Sequence, residues 1–507
     1  MMTSSRGRTD PRRRLPDARA TRSRIRRERR EVARGEIPTE FWALLVSVTM
    51  LCCVGLVAVF SSTTVRSIAG GDAPTAFLSR HALFLGIGAV LMFAGYKVGY
   101  RRVSLLAPLA LGSAATLLVA VLIFGSTYNG ARRWFSFGFV TFQPSELAKL
   151  AIIVWVARLL AMREREMHLP GRTVMPVAVV VGLAGFVIYL EPDLGTAVVL
   201  AAVAATMLVV AGARLDALFG LAIPVGATFL ALSQRGYHKD RWGFLDPLSN
   251  ANHENYQLLG GLSSIANGGW FGVGPGGSSA KWGYLPEAES DAIFAVVAEE
   301  FGILGAMLVI GLYVVILVCG IRVAYKAADR FGRLLAIGIT TMISIQTFVN
   351  IGVVLGVLPN KGFTLPFISY GGTSLVMSLA AMGLLLSVAR EGDAAQARLR
   401  RRQRSNRRLA KRAPSRGALV LAASDGRSTE SRPRRRTPAK SAARQPAARK
   451  PAARQPTRQP AAKKSAARQP AAKKPAARQP ARQPAAKKSA PRQPAQRRSS
   501  TGRAAQR

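Results

Sequence analysis

Ten stretches of almost unbroken apolar residues recur along the chain, separated by short polar breaks and by one long one. They fall at roughly 41–60, 79–98, 103–124, 144–162, 174–190, 194–212, 215–232, 292–321, 334–356 and 369–389. Each is close to the ~20 residues that an α-helix needs to cross ~30 Å of hydrocarbon. A lipid-exposed backbone must satisfy its own hydrogen bonds, which points to helices. The alternation that a membrane β-barrel requires is missing from these runs. The pattern predicts an all-α, polytopic membrane protein of about ten transmembrane helices, with a large loop, 233–290, before the eighth.

Charge divides the chain into three parts. Residues 1–40 carry a net +7 and residues 391–507 a net +31, out of +45 for all 507 residues. The extreme pI therefore belongs to the ends and says little about the body, 41–390. If the Arg-rich N-terminal segment is cytoplasmic, Arg101, Arg102, the 163–172 loop, Arg214 and the 322–333 loop all fall inside, as the positive-inside rule asks. An even number of spans then returns the C-terminal tail to the same side. The loops around Arg132, 233–290 and 357–368 face outward. The first span follows a basic leader but has no small-residue cleavage site, so a retained helix is expected rather than a signal peptide. Cys52, Cys53 and Cys319 lie inside expected spans without metal-type spacing and read as small apolar residues.

From Ala442 onward the tail cycles through Ala-Ala-Arg-Gln-Pro and Ala-Ala-Lys-Lys, with no acidic residue after Glu430. Such a segment has little apolar surface to bury and too many prolines for helix, so disorder is expected from 391 on. Two partners stay open for this polycation: anionic lipid of the inner leaflet, or nucleic acid bound through counterion release.

Ionisable groups beside a bilayer are costly to place and are functional candidates by default. At the outer end of the third run stands Asn129-Gly130-Ala131-Arg132-Arg133-Trp134, then Gln143-Pro144-Ser145-Glu146-Leu147-Ala148-Lys149. Pro144 suits a first helical turn, and Glu146 and Lys149 share a face three residues apart. They are either an internal ion pair or part of a site. Arg132 and Arg133 are surplus outer cations, as is Lys361, and together these suit a phosphate-bearing ligand. Glu191-Pro192-Asp193-Leu194-Gly195-Thr196 forms a short outer turn in which Asp193 suits a helix cap, while Glu191 could line the same cavity. Six glycines between Gly268 and Gly277 permit either irregular turns or close approach to a ligand.

The long loop ends in Leu285-Pro286-Glu287-Ala288-Glu289-Ser290-Asp291, just where the eighth run begins. Asp291 is either a helix cap or a general base whose pKa is raised by partial burial. Glu287 and Glu289 would raise it further, or together hold a divalent cation, Mg or Mn, through oxygen ligands. Glu299 and Glu300 follow deeper in the run.

These motifs, with Pro366-Phe367-Ile368-Ser369-Tyr370-Gly371-Gly372-Thr373-Ser374 as the last, stand in the order found in the SEDS family (shape, elongation, division and sporulation) of bacterial membrane glycosyltransferases. The chain resembles that family over about 41–390. The resemblance implies an inner-membrane enzyme that polymerises lipid II, a polyprenyl-linked glycan precursor, into peptidoglycan strands, inverting the anomeric carbon and releasing undecaprenyl diphosphate. It also implies a class B penicillin-binding protein, an FtsI-like transpeptidase, and other divisome membrane proteins as partners. The family's essential loop aspartate falls on Asp291, and its paired Glu and Lys on Glu146 and Lys149. Pro359-Asn360-Lys361-Gly362 resembles a segment of the division branch, FtsW, which suggests action at the septum, whereas the elongation branch usually lacks that lysine. Glu289-Ser290 departs from the family, where His-Thr or His-Asn is usual.

On this reading Asp291 is the catalytic residue, and Arg132, Arg133, Glu146, Lys149, Glu287 and Lys361 bind substrate. A flippase that moves lipid II without making bonds would need the same diphosphate site. An elongation-type polymerase is the nearer alternative.

Overall fold

The computed structural model describes residues 38–71, 73–128, 131–138, 140–220, 223, 226, 253–282, 285–359 and 362–412. Within them the apolar runs form helices: α1 (Thr39–Ala69), α2 (Ala76–Val98), α3 (Tyr100–Phe124), α4 (Pro144–Met162), α5 (Val174–Leu190), α6 (Leu194–Ala211), α7 (His253–Gly268), α8 (Ile293–Lys326), α9 (Arg330–Val354) and α10 (Gly372–Arg412). Seven are long and apolar enough to cross a membrane: α1, α2, α3, α6, α8, α9 and residues 372–397 of α10. Nine of the ten expected spans coincide with helices. The remaining one, 215–232, is helical at 215–220 and lies largely outside the described residues, as do the N-terminal segment 1–37 and the tail beyond 412.

α9 and α4 lie at the centre. Leu335, Ala336, Ile339 and Ile343 of α9 are fully buried, and α9 packs on α4, α6 and α8. Gly338 permits this approach, since a Cβ there would stand 2.6 Å from Ile153 of α4 and 2.8 Å from Met207 of α6. α2 runs along α10, and α1 along α8. Leu105, Leu106 and Leu109 of α3 and Leu304, Met307 and Leu308 of α8 are more than half exposed. Such faces match a lipid environment rather than water.

The basic loops expected on one side share one end of the helices. Lys326 meets Glu40 at 2.5 Å, Arg330 meets Glu164 at 2.7 Å, and Arg101 bridges Asp329 at 3.0 Å and Glu391 at 3.2 Å.

Three features depart from the expected pattern. Residues 126–142, read as a plain loop, form an antiparallel meander of β1 (Ser126–Tyr128), β2 (Ala131–Phe137) and β3 (Val140–Phe142). The 233–290 loop contains α7, which packs on α8. α10 does not end near 389 but runs to Arg412, so the expected start of disorder at 391 falls inside a helix. Good helix formers (Ala, Arg, Leu, Gln) fill 395–412, and the first proline comes only at 414.

Candidate functional site

The turn that presents Asp291 is built from its own backbone. The N–H groups of Ser290, Asp291 and Ala292 all converge on the carbonyl of Glu287, at 3.1, 3.1 and 3.4 Å. Two distant segments then fix it. Asn350, near the end of α9, donates through Nδ2 to the carbonyl of Asp291 at 2.8 Å and to that of Phe363 at 2.5 Å. Tyr370 donates its N–H to the carbonyl of Glu289 at 2.8 Å. Asn350 is buried inside an apolar helix, where an unpaired amide would cost ~1–3 kcal/mol.

The Asp291 side chain does not cap α8, whose N-terminus has no side-chain cap bond. Asp193 does cap α6, accepting from the N–H of Thr196 at 3.2 Å. The Asp291 carboxylate instead faces the 362–363 backbone, where a Cβ on Gly362 would stand 2.6 Å from its Oδ2. Burial pushes its pKa up to about 7, with the charges of Glu287 and Glu289 adding to the rise, while Arg133 and a Ser290 hydrogen bond oppose it. A carboxyl so placed is half ionised near neutral pH, as a general base requires.

Arg133 projects from β2 to the 191–192 turn, donating from Nε to the Glu191 carbonyl at 2.7 Å and from Nη2 to the Pro192 carbonyl at 2.5 Å. Carbonyls hold a guanidinium without neutralising it, so its positive charge stays available beside Asp291. Arg132 is exposed and donates to Thr127 Oγ1 at 3.2 Å. Glu146 and Lys149 form a buried ion pair at 2.8 Å one turn into α4. Lys361 lies outside the described residues, together with Asn360 of the same segment.

The four motifs meet through named contacts. Arg133 holds the Glu191–Pro192 turn, and Gly195, in the next turn, is pressed against Phe363, a Cβ there standing 2.6 Å from the ring. Phe363 shares Asn350 with Asp291. Thr373 accepts from the Gln143 N–H at 3.2 Å and donates to the Thr141 carbonyl at 3.0 Å, joining α10 to the start of α4.

Glu287 and Glu289 do not gather as metal ligands. Glu289 pairs with Arg66 at the end of α1, and Glu287 accepts from the Ser290 hydroxyl at 3.2 Å. Among the described residues no group of three or more His, Cys, Asp or Glu is placed to hold a metal ion.

Glu299 and Glu300 have structural work. Glu299 accepts from Ser278 Oγ at 2.5 Å and from the N–H and Oγ of Ser279 at 3.1 and 2.6 Å. Glu300 accepts from the Gly276 N–H at 3.1 Å and from Ser61 of α1. The glycine-rich segment thus wraps α8 rather than a ligand. At Gly302 (φ 69°, ψ −170°) the helical ladder breaks, and Val273 and Gly274 donate to the freed carbonyls of Glu299 and Glu300 at 3.0 and 3.1 Å. The Ile303 N–H in turn donates to Gly269 at 2.9 Å.

Known proteins resemble this chain over most of its helical body. The sequence model of the FtsW/RodA/SpoVE cell cycle protein family matches residues 42–394. The stage V sporulation protein E of Bacillus subtilis is 39% identical over 352 residues, 68% of this chain and 96% of that protein. A probable peptidoglycan glycosyltransferase FtsW of Aromatoleum aromaticum is 39% identical over 357 residues, 68% of this chain and 87% of its own. Among solved structures, a chain of a peptidoglycan synthase complex that coordinates polymerization and crosslinking superposes with a TM-score of 0.58 at 31% identity, covering 69% of this chain and 98% of that one. The crystal structure of the rod shape determining protein RodA of Thermus thermophilus gives 0.52 at 30% identity, covering 69% and 96%.

Proposed function

The chain belongs to the FtsW/RodA/SpoVE family of cell cycle proteins, and from that membership we infer that it is a multi-pass membrane enzyme, a peptidoglycan glycosyltransferase acting in septal wall synthesis. Its substrate is lipid II, added to a polyprenyl-linked glycan, and its partner is a class B penicillin-binding protein of the FtsI type within the division machinery. Both termini lie in the cytoplasm, and the Asp291 turn faces outward.

One observation supports this reading above the rest: a half-buried carboxyl with a pKa near 7, not spent on capping, held by Asn350 beside the charge of Arg133. Asp291 takes the proton of the acceptor hydroxyl as that oxygen attacks the anomeric carbon of the donor. The bond from that carbon to the diphosphate breaks, the electron pair leaves with the polyprenyl diphosphate, and the anomeric configuration inverts. Arg133 offsets the charge on the departing phosphates, with Arg132, Lys149 and Lys361 as further cations and Glu146 and Glu287 shaping the pocket. Diphosphate at headgroup level and prenyl chain along the exposed apolar helix faces match the amphiphilic donor.

The test is the purified full chain with labelled lipid II and its transpeptidase partner, assayed for glycan polymer. Polymer formed by the starting chain and lost with Asp291→Asn supports the reading. Transfer of lipid II across vesicles without polymer would replace it with the flippase reading.

A further inference from the structure

Glu191 is an acidic side chain beside Arg133 that the mechanism above leaves without a task. It sits in the turn between α5 and α6, fully shielded from solvent, and neither carboxyl oxygen has a hydrogen-bond partner. The guanidinium of Arg133 lies against it yet bonds to its backbone carbonyl and that of Pro192, not to its carboxyl. An arginine offered an ionised carboxylate takes it in preference to a neutral carbonyl, because a charge-assisted pair is roughly twice as strong. A fully buried, unpartnered carboxylate is also costly enough that such groups neutralise by taking up a proton. Both features are those of an uncharged acid.

Resting on the glycosyltransferase reading, we propose that Glu191 is a positioning residue that works in its neutral form: while protonated it leaves Arg133 on the two turn carbonyls with its charge free for diphosphate, and on ionising it captures Arg133 and withdraws that charge. Among the described residues, the charged groups acting on Glu191 are Asp193 on its own turn and Arg133 from β2, and the same arginine acts on Asp291. Burial, then the charge of Asp193, pushes the Glu191 pKa up to about 8, with Arg133 opposing. The carboxyl is therefore mostly neutral at pH 7 and ionises within reach of mild alkali, so one arginine serves two acids whose pKa values are both raised.

Glu191→Gln holds the side chain in its neutral shape at every pH. With Glu191 titrating near 8, the starting chain should bind lipid II about tenfold less well at pH 9 than at pH 7, and turn it over about fivefold less well because Asp291 becomes fully ionised over the same range. The Gln variant should keep activity within about threefold at pH 7 and lose the alkaline decline. Two measurements are made on the full chain in detergent with lipid II: polymer yield against pH, and lipid II affinity against pH in an Asp291→Asn background, with and without Glu191→Gln. The affinity arm stands even if no polymer forms, which separates failure of this proposal from failure of the glycosyltransferase reading. An alkaline decline that survives Glu191→Gln in the affinity arm overturns the proposal. So does a Gln variant whose thermal midpoint is normal but which is as inactive at pH 7 as Asp291→Asn.

Discussion

Asp291 is bound through its backbone to α9 and through its turn to Glu287, which leaves the carboxyl free to titrate near neutrality. Asp291→Asn keeps the shape and removes the base, so polymerisation should fall by ~10²–10⁴-fold while expression and thermal midpoint stay close to the parent's. Nothing is lost at the start of α8, where no cap bond exists. The sign of the pH dependence follows from the raised pKa: the base is ionised above about 7, so turnover should rise about tenfold per pH unit up to that point and then level, until Glu191 ionises. A flat profile between pH 5 and 7 would remove Asp291 from the rate-determining step. The Glu146–Lys149 pair poses a different question, because both partners are buried and bonded to each other. Lys149→Met alone strands a buried carboxylate and should cost about 3–5 kcal/mol of stability, most of which Glu146→Gln in the same chain should restore. If polymer yield returns with stability, the pair is structural. If the stable double variant stays inactive, Lys149 itself meets the diphosphate.

At the level of elements, the spanning helices were legible because each run had to be apolar over its whole length, a signal that needs no partner to be read. The β1–β3 meander was hidden, since its strands of three and seven residues carry too little alternation and its Arg132-Arg133 pair draws the reading toward charge. α7 was hidden for a similar reason: Gly260, Gly261, Ser263 and Ser264 interrupt its apolar face, and it is held by packing on α8. Of the site, Asp291 and Arg133 stood out because charge beside a bilayer is costly. The links made by Asn350, Thr373 and Arg66 did not, because they join segments far apart in sequence. The glycine segment was visible as glycine, but its role depends on the break at Gly302. A side chain there would strain a left-handed backbone and collide with the carbonyl of Trp270. Gly302→Ala should therefore cost at least ~1–3 kcal/mol, read as a lowered thermal midpoint in detergent, and should loosen the Gly276–Ser279 segment toward protease. An unchanged midpoint would mean that the segment does not depend on that break.

For the whole molecule, the division of charge between body and ends separates catalysis from location. Every contact that builds the Asp291 site lies between Arg66 and Thr373, and the helical extension of α10 ends at Arg412. The remaining residues, 413–507, contribute twenty-six of the chain's Lys and Arg, with Asp425 and Glu430 as their only acids. Removing 413–507 should leave glycan polymerisation in detergent or liposomes within about twofold, since the contacts that build the site among the described residues all lie before it. An effect in cells should appear as altered position or abundance. A polycation of this composition binds anionic vesicles or DNA by releasing counterions, so the binding of the isolated segment should weaken steeply with added salt, its logarithm falling linearly with that of salt concentration when DNA is the partner. Retaining α10 to Arg412 matters to this experiment, because a cut at 391 would sever a helix whose Glu391 pairs with Arg101 at 3.2 Å. Loss of polymerisation on cutting at 391 but not at 413 would locate the dependence in the helix end. Salt-insensitive binding of 413–507 to a single protein would instead show that the repeats encode a specific docking site, and the polycation account of the tail would fail.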